Sequence, residues 1–417
     1  MSELSYLEKL LSGADVEWLP VSKVFNLRNG YTPSKSQKEY WENGDIPWFR
    51  MDDIRENGRI LGNSLQRISP CAVKGGKLFP KNSILISTSA TIGEHALVTV
   101  PHLANQRFTC LSLKVSYIDR FDIKFLFYYC FSLADWCRKN TTLSSFASVD
   151  MDGLRKFLIP LPCPDNREKS LAIQSEIVRI LDKFTALTAE LTAELSMRKK
   201  QYNYYRDRLF SFGAHDVKRL KLGELCVVGD GLHGTPEYDA TGDYFFINGN
   251  NLGYQKISFN DNTKKVNDSM FKKHGIHFDP INTVFLSING TIGNVSLYNN
   301  EKIVLGKSVA YFKIKSPELH TRYLFYFLQT NYAKQYFENQ KTGSTIKNLG
   351  LKSLRAFEIP IPSDDEQLYI VATMDKFYTL TNSITEGLPR EIELRQKQYE
   401  YYRDMLFSFP KPEVAEA

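Results

Sequence analysis

Gln201-Tyr-Asn-Tyr-Tyr-Arg-Asp-Arg-Leu-Phe-Ser-Phe212 returns as Gln398-Tyr-Glu-Tyr-Tyr-Arg-Asp-Met-Leu-Phe-Ser-Phe409, with ten of twelve positions identical. A repeat this long means that one structural frame is used twice. Working outward, Phe157-Leu-Ile-Pro-Leu-Pro162 returns as Phe357-Glu-Ile-Pro-Ile-Pro362, and Leu154-Arg155 as Leu354-Arg355. Leu85-Ile-Ser-Thr-Ser-Ala-Thr-Ile-Gly93 is matched by Phe285-Leu-Ser-Ile-Asn-Gly-Thr-Ile-Gly293. These three matches share an offset of 200 residues. Near the start, Tyr6-Leu-Glu-Lys-Leu-Leu-Ser12 resembles Tyr205-Arg-Asp-Arg-Leu-Phe-Ser211, and Asp15-Val16 and Leu19 then match Asp216-Val217 and Leu220. The repeat is therefore circularly arranged, and the chain ends are expected close together.

The repeat divides the chain. Segment 1–13 reads as a helix packing with the C-terminal connector. Residues 14–156 and 213–356 are variable blocks, 157–212 and 357–410 are better-matched connectors, and 411–417 is a tail. In the first connector, apolar residues at 173, 177, 180, 181, 184, 187, 191, 195, 202, 205 and 209 follow helical spacing, with no Gly or Pro in 165–212. At 1.5 Å per residue this is a rod of roughly 65 Å. A helix that long needs a partner along its stripe, and 367–407 supplies one, with a break expected at Gly387 and Pro389. The blocks mix short β-like runs (Ser83-Ile-Leu-Ile-Ser87, Thr283-Val-Phe-Leu-Ser287) with polar loops, and each ends in an apolar helix. The expected fold is α+β: two globular domains separated by an antiparallel, coiled-coil-like pair of long helices, as a pseudo-twofold circular tandem repeat.

A chain of 417 residues suits two domains plus connectors, and 42% hydrophobic with 24% charged residues marks a folded protein. The net charge of +6 is unevenly placed. Residues 1–156 hold 20 Lys+Arg against 16 Asp+Glu, 213–356 hold 18 against 12, and the rest hold 15 against 19. The excess positive charge lies in the blocks, where a polyanion would engage. Glu3, Glu8 and Lys9 rule out a signal peptide, and no apolar run approaches a membrane span, so a cytoplasmic protein is expected. Six cysteines (71, 110, 130, 137, 163, 226) form no CxxC pair and read as ordinary buried thiols.

The loops carry groups suited to reading base edges. In the first block these are Tyr31, Thr32 and Ser34; Arg50 and Asp52; Ser87, Thr88 and Ser89; and Asn105, Gln106 and Arg107. In the second they are His233 and Thr235; Asn248, Asn250 and Asn251; Ser287 and Asn289; and Lys307 and Ser308. Lys341-Thr-Gly-Ser-Thr-Ile-Lys347, with Lys341, Ser344 and Lys347, suits phosphate contact. Arg pairs with guanine, Asn and Gln with adenine, and Asp with cytosine, while Lys and Ser/Thr grip phosphates. Each loop alone reads equally as an ordinary turn; their recurrence at matching places in both halves favours a shared role.

Catalytic patterns are missing. Val304-Leu-Gly-Lys-Ser308 ends like a phosphate loop, but Glu301 stands where its first Gly belongs. There is no GxSxG and no Asn/Asp-Pro-Pro-aromatic tetrapeptide, and His274 and His277 lack further metal ligands. A non-catalytic chain is expected, with no metal of its own. Two other readings compete with it: a helical scaffold that does not read DNA, and a free-standing nuclease or methyltransferase.

With the Thr-Pro loops, the Thr-Ile-Gly segments, the Ile-Pro-x-Pro exits and the paired connectors, the whole chain resembles the specificity (S) subunit of type I restriction-modification systems. Thr188-Ala-Glu-Leu followed by Thr192-Ala-Glu-Leu, together with Asp182-Lys-Phe184, Asp375-Lys-Phe377 and the Tyr-Tyr-Arg-Asp endings, is similar to subfamily IC. The resemblance implies that each block is a target recognition domain reading half of a split, asymmetric site in double-stranded DNA. It implies that the connectors dock two modification (M) subunits, which methylate adenine N6 with S-adenosylmethionine. Restriction (R) subunits then bring ATP- and magnesium-dependent translocation and cleavage, and no cofactor belongs to this chain. Phe184, Leu187, Leu191, Leu195, Tyr205, Phe377, Leu380 and Tyr402 are the expected subunit-interaction residues. The sequence departs from the pattern where His233-Gly-Thr-Pro236 replaces Thr-Pro-Ser. The second connector is also seven residues shorter early on and four longer later.

Helix arithmetic gives a test of this reading. One further Thr-Ala-Glu-Leu adds about 6 Å and a net rotation of roughly 40°. DNA advances about 3.4 Å and roughly 35° per base pair. Rotation, the stricter constraint on groove phase, predicts that an insertion variant recognises a site whose spacer is one base pair longer. Methylation mapping that finds the original spacer would refute the ruler.

Overall fold

The computed structural model describes residues 6–142, 147–213, 216–253, 255–345, 347–383 and 386–411. The chain forms two compact units, residues 1–189 with 393–417, and residues 190–392. Helix Arg167–Leu209 runs unbroken for 43 residues and contributes to both.

In the first unit a five-stranded sheet runs in the order Phe25–Asn29, Phe108–Leu113, Ser83–Ser87, His95–Val98, Ile60–Leu61. Strand Ser83–Ser87 is buried at every position, so it reads as an apolar run rather than an alternation. Its side chains still divide by the period of two. Ile84 and Ile86 face the core built on helix Ile123–Lys139, while Leu85 joins a second core with Trp48, Phe49 and Leu103. That second core is closed by a three-stranded sheet, Arg67–Ile68, Ile46–Phe49 and Leu103–Ala104, the last two strands parallel.

The second unit repeats the plan. A four-stranded sheet (Cys226–Asp230, Val309–Ile314, Thr283–Ser287, Val295–Leu297) stands beside a three-stranded one (Lys265–Val266, Tyr244–Ile247, Ile303–Leu305). Again Val284 and Leu286 face the helical core, and Phe285 faces the other. The block helix, 17 residues long in the first unit, is here split into Thr321–Phe327 and Asn331–Gln340, with Thr330 capping the second piece through Ala333 N. The Ile-Pro-x-Pro exits are short strands: Leu158–Pro162 pairs with Val16–Pro20, and Glu358–Ile361 with Lys218–Lys221. Proline is tolerated in such two-stranded ribbons because one edge is unpaired.

The duplicated frame repeats in its contacts. Gln174 is fully buried; its Nε2 donates to Arg120 O (2.9 Å), and its Oε1 accepts from Asp122 N (2.9 Å). Gln367 does the same in the second unit with Glu318 O (2.8 Å) and His320 N (3.0 Å). Asp182 accepts from Lys124 and Tyr128, both at 2.7 Å, and Asp375 accepts from Arg322 and Tyr326. Phe184 stacks on Tyr402 at 5.3 Å, and Phe377 on Tyr205 at 5.4 Å. Leu7 and Leu11 share a core with Leu406, Phe407 and Phe409, and Trp18 Nε1 donates to Pro410 O at 2.9 Å, so the first and last described segments meet.

Two expectations are refined. The second connector breaks earlier than Gly387: four residues separate helix Asp364–Asn382 from helix Gly387–Leu406. Gly387 (φ 77°) lies so close to that helix end that a Cβ would come within 2.4 Å of Thr379 O. Among the cysteines, Cys110, Cys130, Cys137 and Cys226 are buried, Cys163 is half-buried, and Cys71 is exposed because it sits in a surface turn.

His95 and His102 are fully buried in the first unit, each accompanied by a backbone carbonyl (Gly93, Val100) and by Phe rings. Burial holds their pKa values down to about 3 and about 4, from 6.5. The unfolded chain therefore takes up protons first, so stability is full above about pH 6.5 and falls as pH drops below it. By pH 5 each histidine costs about 2 kcal/mol. Urea unfolding of His95→Val, which copies Val295 of the second unit, is expected to show a pH 7-to-5 loss smaller by that amount.

Candidate nucleic-acid interface

In the first unit four loops leave the same end of the sheets, because their strands are locked in register there. Tyr31 N donates to Ala104 O (2.8 Å), Asn105 N to Phe49 O (3.0 Å), and Thr88 N to Arg107 O (2.9 Å). Gly30 is required at this crossing, since a Cβ would come within 2.1 Å of Asn105 O. The second unit has the same bonds at matched positions: Leu232 N to Leu305 O (2.8 Å), Gly306 N to Ile247 O (2.8 Å), Ile288 N to Ser308 O (2.9 Å). Gly231 repeats the close approach, 2.2 Å from Leu305 O for a hypothetical Cβ. This register pairs Thr32 with His233, Arg50 with Asn248, Gln106 with Lys307, and Arg107 with Ser308.

The loop after Ile46–Phe49 is held from inside. Fully buried Asp53 accepts from Arg50 N and Leu65 N, both at 2.6 Å. Asn251 takes that place in the second unit, accepting from Asn248 N (2.9 Å) and donating to Ser258 O (3.1 Å). The loops of the first unit enclose a cleft of about 630 Å³ lined by Thr32, Arg50, Asn105, Gln106 and Arg107. Thr32 donates to Gln106 across it. Arg50 lies 5.9 Å from the Trp48 ring and 3.7 Å from Asp52, and its Nε is buried without a partner.

Lys35, Lys38, Trp41 and Gln66 also line the cleft. The sequence reading missed them; Lys35 and Lys38 follow Ser34 and could have been found as a basic continuation, but nothing local marks Gln66. Other candidates sit elsewhere. Tyr31 OH is taken by Ala72 O (3.0 Å) and Lys74 N (2.8 Å), and Asp52 also pairs with Arg55. Ser34 is exposed beside Ser36, and Ser89 bridges to Ser148. Ser87 and Ser287 are fully buried at strand ends, where they hold the following turns: Ser87 donates to Ser89 O (3.0 Å), and Ser287 accepts from Asn294 N (2.8 Å).

In the second unit, His233 Nε2 lies 2.7 Å from Asp230, and Thr235, Lys307, Ser344 and Lys347 are exposed. Asn248 is exposed and accepts from Ser308 (3.3 Å), and Asn250 accepts from Thr291 (3.1 Å). Asn289 bridges to Asn348, and Lys341 pairs with Glu338. Ile346 lies outside the described residues. Among the expected subunit-interaction residues, Phe184, Tyr205, Phe377 and Tyr402 are used in the internal stacks. Leu187, Leu191 and Leu195 are half-buried, and Leu380 is exposed. Exposed apolar side chains off the stripe include Met197, Tyr204, Leu368, Tyr369, Leu394 and Tyr401.

Asp53→Ala strands two buried backbone donors and is expected to destabilise the first unit by about 3 kcal/mol. Asp53→Asn, which keeps one acceptor, costs less. Denaturant unfolding that ranks the two variants equally would refute the role given to the carboxylate.

Among the described residues no group of three or more His, Cys, Asp or Glu could hold a metal ion, and no helix is long and apolar enough to cross a membrane. The chain matches the family described as type I restriction modification DNA specificity domain over residues 14–197 and again over 215–394. It is 58% identical over 399 residues to the specificity subunit of the type I restriction enzyme EcoprrI from Escherichia coli, covering 93% of each chain. It is 37% identical over 442 residues to the specificity subunit of EcoR124I/EcoR124II, also from Escherichia coli, covering 99% of each. A solved structure from a study of complex assembly and conformational transition of the type I R-M system shares the fold, with a TM-score of 0.66 at 15% identity over 94% of this chain and 97% of that one. The chain belongs to the family of type I restriction-modification DNA specificity subunits.

Proposed function

We propose that this chain reads a split, asymmetric site in double-stranded DNA, one half with each unit, and positions partner subunits on it. One observation carries the reading: the same four loops stand at the same register positions in both units, yet bear different side chains. A frame kept while its contact positions diverge fits two half-sites of different sequence. At the matched place after the third strand, Arg50 offers the fork that suits guanine, and Asn248 the amide that suits adenine. Lys35, Lys38 and Lys307 suit phosphates.

The exposed apolar side chains of the connectors fit the docking of two modification subunits, with restriction subunits joining them. S-adenosylmethionine, ATP and magnesium then belong to those partners, and this chain is non-catalytic. The paired Thr-Ala-Glu-Leu turns support subfamily IC.

The test is adenine-methylation mapping of DNA exposed to this chain with its cognate modification subunit. The expected result is a split motif with a fixed spacer. Arg50→Ala is expected to relax one G·C position in one half, and Asn248→Ala one A·T position in the other, each by about 1–3 kcal/mol of discrimination. A stable complex that neither methylates nor binds DNA at modest salt would instead mark the chain as an assembly scaffold.

A further inference from the structure

In the second unit a cavity of about 600 Å³ lies between the connector helix and the reading block. That is about twenty waters' worth of liquid. Its cations are Lys199, Arg206 and Lys334. Arg206 is 3% exposed, and Gln329, another wall residue, 5%. Arg206 already bonds Asp207 and Asn203. Lys199 and Lys334 have no ion-pair partner or side-chain hydrogen bond among the described residues. The carboxylate on the wall, Glu338, is paired with Lys341. Partial burial, and then the Arg206 charge, lower the pKa of Lys334 against the attraction of Asp207; a further anion would offset that cost.

The first unit shows what this place looks like when it is filled. There Arg403, the counterpart of Arg206, lies 4.7 Å from the ring of Phe131, and Arg59 lies 5.3 Å from the same ring while bonding Glu94 at 2.8 Å. In the second unit Gln329 stands where Phe131 does, because Phe327 and Tyr129 make the same contacts with Phe210 and Phe407. Asn294 replaces Glu94, Asn203 replaces Glu400, and Lys199 replaces Gln396. Two carboxylates and an aromatic plug are lost, and a lysine is gained. The cavity wall is continuous with the reading loop: Asn294 Nδ2 donates to Gly249 O (3.5 Å), and neighbouring Thr291 donates to Asn250 (3.1 Å).

We propose that this cavity is a phosphate anchor, present in the second unit alone, that takes a DNA backbone phosphate flanking the second half-site through Lys199, Lys334 and Arg206. The proposal rests on the DNA-reading function above. It gives the two units unequal tasks: both read bases, and the second also grips the backbone from the connector helix.

The test uses the chain in complex with its cognate modification subunit and a duplex carrying the mapped motif. Affinity is measured by fluorescence anisotropy over a salt series for the wild type and for Lys199→Gln/Lys334→Gln. The slope of log affinity against log salt is expected to shrink by about 1–2 in the variant, with an unchanged methylation motif. Lys199→Arg/Lys334→Arg is expected to restore it, which separates charge loss from misfolding. A single methylphosphonate stepped along the second half-site should weaken wild-type binding at one position where the variant is indifferent. An unchanged slope, or methylphosphonates acting equally on both proteins, overturns the anchor while leaving the reading function standing. A wild-type complex without sequence-selective binding would remove the function and the anchor together. Titration with inorganic phosphate in the absence of DNA distinguishes the source: saturable binding lost in the variant, with an unchanged salt slope, would assign the cavity to a free phosphate ester and overturn the DNA anchor.

Discussion

A buried carboxamide on each connector helix, Gln174 in one unit and Gln367 in the other, is the contact on which the rest of each unit depends. It bonds the backbone just before the block helix, with both its donor and its acceptor used. A buried amide left half-satisfied is costly, so this bond sets where along the connector the block can sit. The Asp182 and Asp375 contacts, eight residues or about two turns later in each unit, repeat the constraint. Two such points along a helix fix both position and rotation, which apolar packing alone leaves freer.

From that anchorage the geometry of the loops follows. The block helix covers one face of the sheet, and the central strand places alternate side chains in two cores. The second core is closed by the short parallel strands whose C-terminal ends carry Arg50 and Asn105, or Asn248 and Lys307. The candidate contact positions thus stand on strand ends held by backbone bonds, and capping by Asp53 or Asn251 holds the turn that follows. Variation in the exposed side chains leaves these supports untouched. That is how one frame can carry two different contact surfaces.

The two units share the frame but not every filling. Around Arg403 the first unit has the rings of Phe131 and Tyr399; Arg206 keeps the matching Tyr202 ring and the Asp207 carboxylate, but the space beside it is lined by amides and lysines. Among the described residues, burial of histidine is likewise confined to the first unit, where His95 stands against Phe131. The changed fillings alter local charge and volume, while the buried Gln174 and Gln367 make the same backbone contacts in both units.

Much was legible in the sequence because it is local or repeated. The duplication, the long uninterrupted helix, the circular order that brings Tyr6–Leu11 against Phe407, and the four polar loops in each block all follow from spacing and recurrence. What tertiary structure alone decided is which loop residues share a cleft. Ser87 looked like Thr32 in the sequence, yet it ends a fully buried strand, while Gln66, unmarked by any pattern, reaches the cleft wall. Phe184 and Tyr402 read as faces for a partner, and the structure stacks them on each other. Periodicity tells which residues face away from water; it does not tell which neighbour excludes the water, because that neighbour comes from more than two hundred residues away along the chain.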